Sequence, residues 1–393
     1  MDAATPFLPQ DSLSLEQQIA RLQALLEATR RVHSTIQVNE VLTEAVQILV
    51  RELEIDGAIF VAPSTGKPIA FYGQKPEPPY HNCLKFPLPS KEGQTLAELI
   101  VTCPEAGVCS IYEQDFIEGL VLQTAVALDN ATMHERDLEW ARVQQDLNAA
   151  RAIQKSLLPR SMPEIHGFSI AARSTACYEV GGDYLDSVLQ PDGDYLMVVA
   201  DVAGKGLASA IVATSFRSAL RSLAGQILPL DELAARLNQH HWEEGIEAQR
   251  RYVTAVFLRL RAKFGQVEIL NAGHNPVAMI LPDRSIKMIA SSGTPLGMLP
   301  EMKYATEILS FERGSSILLY TDGLTEVFRD EDEFGSERLG VTFRDSPFSQ
   351  AERTLDYLWD TLATFSANAP QNDDMTALVI YHLDSVQQEF ANR

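Results

Sequence analysis

Gly181-Gly182-Asp183-Tyr184-Leu185-Asp186 is followed, after a short gap, by Val198-Val199-Ala200-Asp201-Val202-Ala203-Gly204-Lys205-Gly206. In each segment an Asp sits at the end of a short apolar run, beside glycines that let backbone approach a ligand closely. The arrangement recurs downstream in Tyr320-Thr321-Asp322-Gly323 and in Asn372-Asp373-Asp374-Met375-Thr376. Runs of this length and composition read as strands. Gln190-Pro191-Asp192-Gly193-Asp194 reads as the hairpin turn between strands at 184–189 and 195–199. Asp201 is thus expected to end an internal strand, with Val202 opening a loop.

Outward from these segments, further strands are expected at 168–173, 252–259, 266–271, 276–281, 285–289, 315–320 and 376–382. Helices are expected at 205–224, 230–242 and 350–367. Mostly antiparallel strands, interrupted by two helices and closed by a third, predict sheet packed on sheet with helices outside.

The first part of the chain has a different plan. Residues 1–13 read as a disordered lead. A helix from Ser14 places Leu15, Ile19, Leu22 and Leu26 at heptad spacing, and a second, over 38–54, has Asn39 as its expected cap. Strands follow at 57–61, 69–72, 84–88 and 95–101, then a helical pattern over 112–156. That order predicts a small α+β domain. Met133, Arg136, Trp140, Val143, Leu147 and Ala150 step by three and four along the long helix, as a parallel two-helix linker would. A single surface helix would show the same spacing. Pro159 and Pro163 end the helix. The expected division is therefore 14–130, a helical linker at 131–160, and 161–385.

Composition narrows the functional classes. The 393 residues are 46% hydrophobic and 22% charged, with a net charge of −21. The pI is about 4.8. Such a surface argues against nucleic acid and against an anionic membrane, since both attract Lys and Arg. Cys83, Cys103, Cys109 and Cys177 have no CxxC spacing, so neither a zinc site nor a redox motif is indicated. Met1–Gln10 lacks a basic region and an apolar core, and no uncharged run is long enough to span a bilayer. A cytoplasmic setting is the expectation.

Each Asp alone has a turn explanation. Together, four carboxylates beside apolar strands need compensation, because a buried charge costs several kcal/mol unless paired or metal-bound. Among basic residues only Lys205 lies close to them in sequence. Oxygen donors from Asp183, Asp201, Asp322, Asp373 and the Val202 carbonyl suit Mn²⁺ or Mg²⁺. Two such ions about 3.5–4 Å apart activate a water for attack on a phosphoester. No protein nucleophile is then required, and the chain shows no G-x-S-x-G elbow or P-loop.

The ordered set Glu179–Asp186, Asp201–Gly206, Asn271–Pro276, Gly293–Gly297, Tyr320–Glu326 and Asn372–Thr376 resembles the PPM-type metal-dependent serine/threonine phosphatases. The resemblance is to the bacterial branch of sporulation-stage-II and sigma-factor-regulating enzymes. Ile153-Gln154-Lys155-Ser156-Leu157-Leu158-Pro159 matches that branch's lead-in helix. It implies an αββα sandwich with two Mn²⁺ or Mg²⁺ at one edge. Asp201 would bridge them, Asp183 and the Val202 carbonyl would serve one, and Asp322 and Asp373 the other. Asp374 has no assigned role, and Asp186 would orient the loop. His274 and Asn275 are candidates to hold phosphate or merely to close a hairpin. The implied substrate is a phosphorylated anti-sigma-factor antagonist. The first domain resembles a GAF sensory domain by its element order and by Asp56-Gly57-Ala58, which implies a regulatory role within a homodimer. A non-catalytic scaffold and a hydrolase of small phosphoesters are the rival readings.

Overall fold

Successive residues of a strand face opposite sides, so alternation decides what each residue packs against. The computed structural model describes residues 15–78, 80, 83–91, 93–102, 111–367 and 369–384. The expected lead at 1–13, Cys103 and Cys109 lie outside these. The chain divides into two units at Gln144/Gln145.

In the first unit, helices α1 (Leu15–Val32) and α2 (Val38–Glu52) precede strands β1 (Gly57–Val61), β2 (Pro68–Gly73), β3 (Cys83–Pro89) and β4 (Thr95–Thr102). Helix α3 (Ile111–Leu157) follows. The strands form an antiparallel sheet in the order β2-β1-β4-β3. Central β1 is buried along its whole length. Val41, Leu42, Ala45, Ile48 and Leu49 of α2 pack with Ile117, Leu120 and Leu128 of α3 in one core. Asn39 is not the cap of α2. Gln37 holds that position, and Asn39 lies inside the helix. Ile19, Leu22 and Leu26 of α1 and Met133, Trp140 and Val143 of α3 are exposed.

The second unit runs β5 (Phe168–Thr175), β6 (Tyr184–Leu189), β7 (Tyr195–Val202), α4 (Leu207–Ala224), α5 (Leu230–Glu243), α6 (Ile246–Gln249) and β8 (Val253–Arg261). Then come β9 (Gln266–Ala272), β10 (Val277–Ile280), β11 (Ile286–Ile289), β12 (Glu307–Ser310), β13 (Ser316–Tyr320), β14 (Phe328–Arg329) and β15 (Asp332–Glu333). Helices α7 (Gly335–Arg344) and α8 (Ala351–Phe365) and strand β16 (Met375–His382) complete it. Two five-stranded antiparallel sheets result, ordered β12-β9-β8-β7-β6 and β11-β10-β13-β16-β5.

Between the sheets Leu185, Met197, Val199, Val256, Ile317, Leu319, Leu378 and Ile380 interlock. On the outer side of the first sheet, Leu196, Val198, Ala200 and Val202 meet Phe216, Leu220, Leu233 and Leu237 of α4 and α5. Outside the second, Leu318, Tyr320, Ala377 and Val379 meet Leu339 and Phe343 of α7 and Leu355 and Leu358 of α8. The layers are αββα, as the motifs implied.

Three details differ from expectation. Strand β7 continues through Val202, so Asp201 lies within a strand. Helix α4 begins at Leu207 rather than Lys205, because Gly204 and Gly206 take φ of +100° and +78°, which a helix excludes. Strand β12, the β14–β15 hairpin and helix α7 were not expected. Among the described residues no helix is long and apolar enough to cross a membrane.

Candidate metal centre

Asp183 and Asp201 meet on the side that faces the second sheet. Met197 and Val199 face the second sheet, so Asp201, two residues further along β7, faces it as well. Asp183, the residue before β6, meets Thr321 at the end of β13 in the second sheet. Asp186 falls on the opposite side, against α4.

Asp183 is buried and accepts a 2.8 Å hydrogen bond at Oδ2 from the Thr321 hydroxyl. The Thr376 N–H donates to that hydroxyl oxygen at 3.0 Å. Asp183 Oδ1 is buried with no hydrogen-bond partner. The Val202 side chain packs towards α4, while its carbonyl faces Gly182. A Cβ on Gly182 would stand 2.9 Å from that carbonyl oxygen and 3.3 Å from Asp201 Oδ1. Glycine is therefore required there by space.

The electrostatics agree with the geometry. Burial, then the charge of Asp201, holds the Asp183 carboxyl well above the usual range. Asp201 is pushed up to about 7 by burial, reinforced by Asp322, Asp373 and Asp374. Asp322 is raised by burial and then by Asp373. Mutually repelling carboxylates in a desolvated edge are stabilised by a cation. Lys205 supplies part of that charge. Its ammonium lies 2.8 Å from Asp373 Oδ2 and donates to the Asn372 carbonyl at 2.7 Å.

Among the described residues, no three His, Cys, Asp or Glu side chains form a ready-made cage for an ion. Asp183, Asp201, Asp322 and Asp373 nonetheless act on one another through their charges. The donor set still fits a hard divalent ion. It is all oxygen, one buried lone oxygen is unpartnered, and glycine leaves room for a backbone carbonyl.

The neighbouring acids have structural tasks. Asp374 accepts the Cys177 N–H at Oδ1 and the Gly182 N–H at Oδ2, both at 2.7 Å, and so staples the 177–182 loop to the start of β16. Asp186 is fully buried and receives both arms of Arg221 at 2.6 Å. It also accepts from the Tyr184 hydroxyl and the Ser187 N–H. His274 and Asn275 lie in the loop between β9 and β10. His274 is buried, its Nδ1 meets the Thr254 hydroxyl at 2.8 Å, and burial lowers its pKa to about 4. The Asn275 carbonyl accepts from Asn271 Nδ2 and closes the loop.

Two participants were missed in the sequence. Thr321 was legible only as the residue before Asp322. Gln154, part of the lead-in motif, donates from Nε2 to the Gly181 carbonyl at 2.7 Å and accepts the Gly181 N–H at Oε1, 3.2 Å. Arg217 on α4 donates from Nε to the Leu157 carbonyl at 3.0 Å. The end of α3 is thus tied to the loop that carries Asp183.

Residues 191–383 match the model of the stage II sporulation protein E (SpoIIE) family. The C-terminal unit is therefore similar to the SpoIIE family over just under half of the 393 residues. Asp201, Val202, Asp322 and Asp373 fall inside the matched stretch, and Asp183 lies just before it. The chain is 28% identical over 263 residues to Protein IcfG of Synechocystis sp. (strain ATCC 27184 / PCC 6803 / Kazusa), covering 60% of this chain and 41% of that one. It is 25% identical over 184 residues to phosphoserine phosphatase RsbP of Bacillus subtilis (strain 168), covering 46% and 45%. It therefore spans less than half the length of either relative. The C-terminal unit shares its fold with the SiaA-PP2C domain of Pseudomonas aeruginosa, with a TM-score of 0.54 and 21% identity, covering 62% of this chain and 98% of that one.

Proposed function

We propose that this protein is a metal-dependent phosphatase that hydrolyses phosphoserine or phosphothreonine on a partner protein. One observation carries the reading. Asp183, just before β6, and Asp201, in β7, repel each other in one buried cluster, Gly182 leaves room for the Val202 carbonyl beside Asp201, and Asp183 Oδ1 is buried and unpartnered. Asp183 and the Val202 carbonyl would hold one Mn²⁺ or Mg²⁺, Asp322 and Asp373 the other, and Asp201 would bridge both. When bound, the pair supplies Lewis acidity and an activated water.

The chain's own residues do the positioning. Thr321 fixes the Asp183 carboxylate and leaves one oxygen free. Asp374 holds the glycine loop. Lys205 pairs with Asp373 and would offer its ammonium to phosphate oxygens at the acid edge. The partner we infer is a phosphorylated anti-sigma-factor antagonist, and the setting cytoplasmic. The GAF-like region at 14–130 would regulate the domain through the helical segment at 131–160. The exposed apolar residues of α1 and α3 would form the seam of a homodimer, and Gln154 would be the last link to the site.

The test is turnover of p-nitrophenyl phosphate and of a phosphorylated partner with Mn²⁺ or Mg²⁺. Wild type should exceed Asp201→Ala by at least about a hundredfold. Equal turnover by the two would sink the proposal. The Lys205–Asp373 pair suits the rival scaffold reading, which calorimetry decides, because a scaffold should bind no Mn²⁺ tightly.

A further inference from the structure

An apolar groove lies between the β14–β15 hairpin and the C-terminal half of α8. It encloses about 570 Å³. Val327 and Phe328 line it from the hairpin side, Trp359, Leu362 and Ala363 from α8, and Met375 from the start of β16. Phe328 is 38% exposed. Nothing in the hydrolytic chemistry uses this groove, and the fold does not fill it.

Its inner end is the edge of the acid cluster. Gly323 and Asn372 line the groove, and each is the chain neighbour of a proposed ligand, Asp322 and Asp373. The two backbones are in close contact. A Cβ on Gly323 would stand 2.0 Å from the Asp374 carbonyl oxygen and 3.3 Å from that of Asp373. A phosphorylated residue held by the acids fixes the path of the chain on either side of it. An extended chain advances about 3.3 Å per residue, so positions two to four residues away reach about 7–13 Å from the phosphorylated residue. An apolar side chain arriving there leaves water for a surface already apolar.

We infer that this groove receives an apolar side chain of the protein substrate, from the segment next to its phosphorylated residue. The inference rests on the phosphatase reading and adds the feature by which one phosphoprotein is preferred to another. The contact lies beyond the phosphoryl group, so it acts on protein substrates and leaves small phosphoesters untouched.

The experiment uses the full chain with Mn²⁺. The substrates are p-nitrophenyl phosphate and a phosphoserine peptide with alanine flanks, re-synthesised with Leu at each position within four residues on either side. Wild type should favour Leu at one or two positions by about tenfold in kcat/KM. Phe328→Ser removes a lining side chain, and Ala363→Glu puts a charge into the groove from an exposed helical position. Both should abolish the preference while p-nitrophenyl phosphate turnover stays within about twofold of wild type. Three results would overturn the inference: no preference in wild type, a preference that survives both changes, or an equal loss on p-nitrophenyl phosphate. If wild type turns over the small ester without any preference among peptides, only this inference falls. If it turns over no substrate at all, the phosphatase reading falls and the inference with it.

Discussion

Gln154 and Gly181 are joined through both ends of one carboxamide, which donates to the glycine carbonyl and accepts its N–H. The clasp lies two residues from Asp183. Each such bond contributes about 0.5–1.5 kcal/mol net. Gln154→Ala should therefore weaken Mn²⁺ binding about three- to tenfold while far-UV circular dichroism stays unchanged. Calorimetric titration of the two proteins decides it, and equal affinities would show that the clasp does not reach the site.

Gly182→Ala should be more damaging than its size suggests. Backbone conformation is not the obstacle, because Gly182 is not among the residues of positive φ. The added carbon would press on the Val202 carbonyl and Asp201. A displacement of about 1 Å in a catalytic group lowers rate on the order of a hundredfold. We expect that loss in kcat, with a thermal midpoint within about 3 °C of wild type. A variant of normal activity would remove the Val202 carbonyl from the proposed ligands.

His274 makes stability depend on pH. Burial depresses its pKa from 6.5 to about 4. For a depressed value, the stability contribution is complete above the unfolded pKa and is lost as pH falls through the folded one. The window is thus from about pH 6.5 down to about 4, and the full effect is on the order of 3 kcal/mol. His274→Gln cannot take up the proton and should lose less across that window. Urea midpoints at both ends, for wild type and variant in chelator, provide the test. Parallel losses in the two would contradict it.

Arg221→Met should cost stability rather than chemistry. It strands the fully buried Asp186 carboxylate, and breaking a buried pair costs about 3–5 kcal/mol. Arg221 is 42% exposed along its side chain, which places the expectation near about 2–3 kcal/mol. Adding Asp186→Asn should recover part of it. Equal denaturant midpoints for wild type and Arg221→Met would refute the assignment.

The αββα plan was legible because period-2 alternation is a local property. The same rule turns Asp201 on β7 towards the second sheet and Asp186 on β6 towards α4. Asp201 and Asp322 could be chosen from their places beside apolar runs. Thr321 as the partner of Asp183 could not, since 138 residues separate them and only the packing of two sheets brings them together. The Lys205–Asp373 pair was hidden for the same reason. Helix α7 and strand β12 were missed because both are short and carry charge, and tertiary contacts override their weak local preference.

Strand β16 lies between β13 and β5, yet it is the last described strand in sequence. Asp374 at its start reaches back to Cys177 and Gly182. A growing chain thus carries Asp183, Asp201 and Asp322 before it has the strand that staples the Asp183 loop. Such long-range closure is slow and comes late. Until β16 pairs with β13 and β5, the loop before β6 lacks its staple, so ordering of the acid edge would follow closure of the second sheet.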